Sequence, residues 1–135
     1  MKDMNIPVGV SDFEKIRNGG FYYIDKSGLI TRILKEKAEV TLIARPRRFG
    51  KTLGMSMLES FFDIRKDSRK LFDGLEIAEN QALCDEWMNQ YPTVSISFRQ
   101  IDGLNFMDAY RQLVYEIALL YQKHTYLLDS QAISN

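Results

Sequence analysis

The sequence predicts an α/β fold, a three-layer parallel sheet covered by crossover helices. Three observations carry that expectation. Val40 to Ala44 is an almost continuously apolar run, the pattern of a parallel strand buried on both faces. From Lys51 the apolar period turns helical, with Leu53, Met57 and Phe61 in one i,i+4 row and Leu58 and Phe62 in the row beside it. Pro92 then introduces Val94, Ile96 and Phe98 alternating with Ser95 and Ser97, the period of a second core strand. The order strand, loop, helix, helix, strand, helix belongs to a sheet with crossover connections. Only these two core strands are visible, so the sheet is expected to be incomplete.

The remaining elements follow from local chemistry. Ser11-Asp12-Phe13-Glu14 has the spacing of a capping box and starts a short helix that Gly19-Gly20 should stop. Phe21 to Ile24 is aromatic and β-prone, and Asp25 to Lys37 reads as a helix with Leu29, Ile30, Ile33 and Leu34 on one face. Gly54, above Leu58 in its row, would let the loop helix approach the sheet closely. A polar stretch, Asp63 to Asp73, separates that helix from a second one near Glu79 to Asn89 that carries Leu83, Trp87 and Met88. Asn105 to Gln122 is a strong helical segment, with Phe106, Ala109, Tyr110, Leu113, Val114 and Ile117 at helical spacing.

Composition narrows the class. The 135 residues are 45% apolar and carry 18 basic and 18 acidic side chains, which fits one globular domain and excludes disorder and whole-surface attraction of nucleic acid or anionic lipid. One cysteine, Cys84, and one histidine, His124, cannot make a disulfide or a structural metal site. No signal peptide and no run approaching the roughly 20 apolar residues of a membrane span is visible, so a cytoplasmic protein is expected.

The chemistry concentrates in Arg45-Pro46-Arg47-Arg48-Phe49-Gly50-Lys51-Thr52-Leu53. An apolar strand, a tight cationic loop and a helix opened by Gly50-Lys51-Thr52 form the layout of a phosphate-binding loop, although the strict pattern Gly-x-x-x-x-Gly-Lys-[Ser/Thr] has glycine where this chain has Arg45. A triphosphate needs converging donors and a positive field. The first N–H groups of a helix are unpaired and its dipole is positive there. Gly50 suits backbone that must turn or approach phosphate without a side chain. Lys51 would reach the β- and γ-phosphates, and the Thr52 hydroxyl would ligate Mg²⁺. Pro46 holds its own φ at about −65° and pushes Arg45 towards an extended conformation, so the turn can be set by proline instead of glycine. Arg47 and Arg48 add charge at the apex, for phosphate or for a second anionic partner. The tripeptide alone is weak; the flanking strand and helix are what make it specific. The fold expected is therefore P-loop NTPase-like, with residues 45–53 binding nucleotide and Thr52 holding the metal.

Three segments carry a family resemblance: Ile6 to Phe13, Phe21-Tyr22-Tyr23-Ile24-Asp25-Lys26-Ser27, and Arg45 to Thr52. They resemble successive N-terminal signatures of the AAA-ATPase-like family of prokaryotic proteins, and Tyr91 to Phe98 is similar to the family's next strand. The likeness covers nearly the whole chain. It implies that Arg45 is normal in this loop, that the nucleotide is ATP with Mg²⁺, and that residues 1–38 lead into a P-loop core at 39–135. In the family this region is commonly followed by a PD-(D/E)XK nuclease-like domain.

Hydrolysis requires an acid at the end of a neighbouring strand. Phe21 to Asp25 fits that pattern but precedes the loop, Tyr126-Leu127-Leu128-Asp129 fits it poorly, and Phe98 is followed by Arg99, with Asp102 four residues beyond Phe98. The family's acidic strand comes later, so the chain is expected to be a truncated N-terminal part whose partner is the remainder of the protein or another protomer, with no catalytic residue assigned. The competing readings are a nucleic-acid or protein interaction module built on Arg45, Arg47 and Arg48, and an inactive fragment. His124 is expected to be solvated near a helix end and Cys84 to be a packing residue. The aromatic residues are expected in the core, and the mixed charge run Arg65 to Lys70 at the surface.

Overall fold

A computed structural model describes residues 5–7, 9–44, 50–99 and 101–130. The chain divides into two compact units, 1–93 and 94–135. The first contains helices α1 (Phe13–Asn18), α2 (Gly28–Glu36), α3 (Lys51–Phe62) and α4 (Arg69–Phe72), a 3-10 turn at Glu76–Glu79, and α5 (Gln81–Trp87). The second contains α6 (Phe106–Lys123) and a 3-10 turn at Thr125–Asp129.

The expected three-layer parallel sheet is corrected by this arrangement: among the described residues no strand forms. Val40 and Leu42 are 85% and 88% exposed, where a strand covered on both faces would bury them. In the second unit, Val94, Ile96 and Phe98 are likewise exposed. Tyr22 donates its N–H to the Asn5 carbonyl at 2.7 Å, but Phe21 to Ile24 forms no strand. An apolar run satisfies its N–H and C=O groups as a parallel strand only through neighbours along its edges, and composition cannot supply them. Strand-like pairing among the described residues is confined to one parallel bridge, Asp63 with Tyr91.

Helix boundaries follow the caps. The Asp12 carboxylate, one residue later than the anticipated Ser11, accepts the Lys15 N–H at 3.1 Å and begins α1. Gly20, at φ 68°, ends it, and the Phe21 N–H returns to the Ile16 carbonyl at 3.2 Å. Asn80 and Asn105 cap α5 and α6 through side-chain oxygens. The helix expected from Asp25 begins instead at Gly28, because Asp25 is used in a turn: its Oδ1 accepts both the N–H and the hydroxyl of Ser27, at 2.9 and 2.6 Å.

The core of the first unit sits around α3. Met57 and Phe61 are fully buried with Phe13, Ile30, Phe72 and Ile77, and Leu53, Leu58 and Phe62 pack half-buried against them, so the two predicted rows are the ones that face inward. Phe72 lies 4.8 Å from Phe13 and 5.4 Å from Phe61 between ring centroids. The Phe13 N–H donates to the Ser56 hydroxyl at 3.0 Å, fastening α1 to α3. The stretch anticipated as a polar separator is part of this core: Leu71 and Phe72 on α4 are buried, as are Asp63 and Ser68. Asp63 accepts the Arg65 guanidinium at 2.7 Å. Burial alone would raise its carboxyl, but the hydrogen bonds and charge of Arg65 outweigh it and hold the group below the ordinary carboxylate range.

The C-terminal end of α3 is closed by Asn89, which sits at φ 55° just past α5. Its amide donates to the Ser60 and Asp63 carbonyls at 3.0 and 2.9 Å, its oxygen accepts the Ser68 N–H at 2.9 Å, and its backbone N–H reaches the Phe61 carbonyl at 2.7 Å. Glu59 and Phe62 give their carbonyls to the Asp63 and Tyr91 N–H groups. Every carbonyl of the last turn is thereby satisfied. Asn89→Ala should lower unfolding stability by about 2–3 kcal/mol, combining lost hydrogen bonds with strain at positive φ. Asn89→Gly, which relieves the strain alone, should lose less. Urea denaturation of the two variants checks both the magnitude and the order.

Candidate anion site at the start of α3

The opposite end of α3 is built differently. Gly50 is its N-cap, at φ 74° and ψ 23°, a left-handed conformation open to glycine. Its carbonyl accepts the Gly54 N–H at 2.8 Å, closing the first turn. No side chain caps this end, and among the described residues the N–H groups of Lys51, Thr52 and Leu53 have no partner. Lys51 and Thr52 are exposed, whereas Leu53 turns towards the core. Of the sequence-predicted set, Gly50, Lys51, Thr52 and Leu53 therefore share one helical turn. Arg45, Pro46, Arg47, Arg48 and Phe49 lie outside the described residues.

A cavity of about 420 Å³ opens beside this turn. Its lining includes Gly50, Lys51 and Gly54, with Lys26, Arg32 and Ile43. Among the described residues that line it are three cations and no carboxylate, a locally positive concavity in a chain of zero net charge. Arg32 is partly answered by Glu36, Nε to Oε1 at 3.3 Å. Gly54 has nothing within 4 Å of where a Cβ would stand, so among the described residues it borders open space and not the close neighbour anticipated for it.

Lys26, Arg32 and Ile43 were not legible as site residues, since nothing in their local sequence announces an approach to Gly50. The flanking Asp25 and Ser27 were the available signal. Asp25 Oδ2 accepts the Glu76 N–H at 2.7 Å, and the buried Ser27 hydroxyl accepts the Ile77 N–H at 3.1 Å. Burial would raise the Asp25 carboxyl, but the Ser27 hydroxyl and amide and the Glu76 amide more than offset it, and the group lies below its ordinary value. Asp25 is thus a turn-forming and bracing anion. Asp102 and Asp129 lie in the second unit, where the Asp102 N–H donates to Gln112 Oε1 at 2.6 Å and Asp129 ends the last 3-10 turn.

The other singled-out side chains have structural surroundings. Cys84 packs half-buried against the core, its Sγ bonded to the Ile77 carbonyl at 3.3 Å, and burial pushes its thiol up, away from thiolate chemistry. His124 follows α6 directly, with Nδ1 3.1 Å from the Tyr126 hydroxyl. Among the described residues no group of acids, cysteines and histidine could hold a metal ion, and no helix is long and apolar enough to cross a membrane.

A family model described as "Predicted AAA-ATPase" matches residues 7–132. A curated protein of Azotobacter chroococcum mcd 1, described as "Uncharacterized protein in vnfD 5'region", is 33% identical over 99 residues, which are 73% of this chain and 18% of that protein. The chain thus spans less than a fifth of that relative's length. No solved structure matches.

The two glycines of this turn should respond in opposite directions. Gly50→Ala places a Cβ in a left-handed conformation and should cost about 1–2 kcal/mol. Gly54→Ala, in open helical space, should stabilise by about 0.5–1 kcal/mol. Thermal melts of the two ligand-free variants against the wild type test this contrast.

Proposed function

The chain belongs to the AAA-ATPase-like family, and from that premise we propose that it binds the polyphosphate of a nucleotide, ATP with Mg²⁺, at the N-terminal turn of α3. The observation that carries this reading is the cavity opening on Gly50 and Lys51, whose lining among the described residues holds three cations and no carboxylate. The first N–H groups of α3, which have no partner among the described residues, the positive helix end and the Lys51 ammonium all favour negative charge at one place. A carboxylate or a bare divalent cation gains less there than a polyanion, because several positive groups remain to be answered at once.

In this reading the N–H groups of Lys51, Thr52 and Leu53 donate to phosphate oxygens. Lys51 neutralises the outer phosphates, and Gly50 keeps the approach free of a side chain. Arg45, Pro46, Arg47, Arg48 and Phe49 complete the proposed loop. Mg²⁺ would arrive with its phosphates, taking the Thr52 hydroxyl as a protein ligand and neutralising charge on the phosphate oxygens. Since among the described residues no carboxylate lines the cavity to orient water, the reaction proposed for these residues is binding. The remainder of a longer protein, or another protomer, is the proposed source of a catalytic acid.

Calorimetric titration with ATP, with and without Mg²⁺, tests the reading. The wild type should bind with Mg²⁺-dependent affinity, and Lys51→Ala should weaken binding by about 10- to 100-fold through loss of a charge-assisted contact. Equal affinities for the two proteins would remove phosphate binding from this turn.

A further inference from the structure

We propose that Lys26 is a second cationic ligand of the polyphosphate, delivered to the α3 terminus from the segment preceding α2; this rests on the binding reading above. Lys26 Nζ lies 3.8 Å from the position a Cβ would occupy on Gly50, the N-cap of α3. It therefore stands beside the turn whose first N–H groups have no partner among the described residues. Lys26 also lines both the 420 Å³ cavity and an adjoining, more apolar one of about 240 Å³, and both share Gly50 and Gly54 with it.

The backbone carrying Lys26 is held on both sides. Asp25 binds the Ser27 N–H and hydroxyl and the Glu76 N–H, while Ser27 is itself buried and bound by the Ile77 N–H. These bonds join Lys26 to a turn about fifty residues away in the sequence. The side chain then has a fixed origin, and only its own rotamers remain to be ordered by a ligand. Among the described residues no carboxylate forms an ion pair with Lys26.

The electrostatic sign is the decisive point. A cation stabilises the C-terminal end of a helix and opposes the N-terminal end. Lys26 nevertheless stands at the N-terminal end of α3, and Lys51 adds a second positive charge to the same cavity. The helix end itself offers such a lysine no stabilisation. An anion between the two ammonium groups reverses the sign of both interactions, and a chain of phosphates supplies enough oxygens to meet both lysines and the first amides of α3 together.

Wild type, Lys26→Gln, Lys26→Arg and Lys51→Ala proteins are titrated with MgATP and with inorganic tripolyphosphate, and each is melted without ligand. Lys26→Gln should weaken both ligands by about 10-fold or more, Lys26→Arg should retain most of the affinity, and the ligand-free melting temperature of Lys26→Gln should equal or exceed that of the wild type. Wild-type affinity in Lys26→Gln, with binding lost in Lys51→Ala, overturns the role of Lys26 and leaves the parent reading intact. No binding by the wild type, or full binding by Lys51→Ala, overturns the parent reading and this inference with it. A weakened Lys26→Gln that also melts several degrees lower without ligand assigns Lys26 to the fold, against the proposal.

Discussion

The amide of Asn89 and the backbone around it satisfy the last turn of α3, and the position of the opposite end of that helix depends on them. A helix ends in carbonyls without intrahelical partners, and here they are met by Asn89, Ser68, Asp63 and Tyr91. The backbone at Asn89 is left-handed, and its side chain reaches back to the carbonyls at the end of α3. Met57 and Phe61 then lie against Phe13, Ile30, Phe72 and Ile77. With one end sealed and one face buried, α3 has little freedom to slide or tilt.

That rigidity gives meaning to the unsealed end. In α1, α5 and α6 a side-chain oxygen takes up an N-terminal N–H group. In α3 the equivalent residue is Gly50, which has no side chain and whose left-handed backbone starts the helix beside a cation-lined cavity. The same helix therefore joins a closed, stability-bearing end to one whose first N–H groups have no partner among the described residues. Donors fixed before the ligand arrives lose little entropy on binding, the usual basis of preorganised anion sites. The Asp25–Ser27 brace extends that preorganisation to a neighbouring segment through the Glu76–Glu79 turn.

What the sequence disclosed was governed by local period and local chemistry. The rows Leu53, Met57, Phe61 and Leu58, Phe62 follow from helical spacing, and they are the rows that pack. Gly19-Gly20 ends α1, and Phe106 to Lys123 forms one helix close to its expected limits. Val40 to Ala44 and Val94 to Phe98 were misread because an apolar or alternating run specifies a strand only when other strands meet its edges, information that lies outside the run itself. Ser68 and Phe72 were hidden for the reverse reason: charged neighbours mask two residues whose burial depends on α3 and Asn89. Lys51 and Thr52 are singled out by their motif, whereas Lys26 stands beside Gly50 only through tertiary structure.

The family match covers residues 7–132, and the proposed phosphate contacts fall in a single turn within it. Amide hydrogen exchange resolved by residue, recorded with and without MgATP, tests those contacts most directly. Phosphate ligation predicts slowed exchange at Lys51, Thr52 and Leu53 on adding nucleotide, with little change at Asn89 and in the last turn of α3, which is already satisfied. Saturation with MgATP that leaves those three amides exchanging at their ligand-free rates would contradict them.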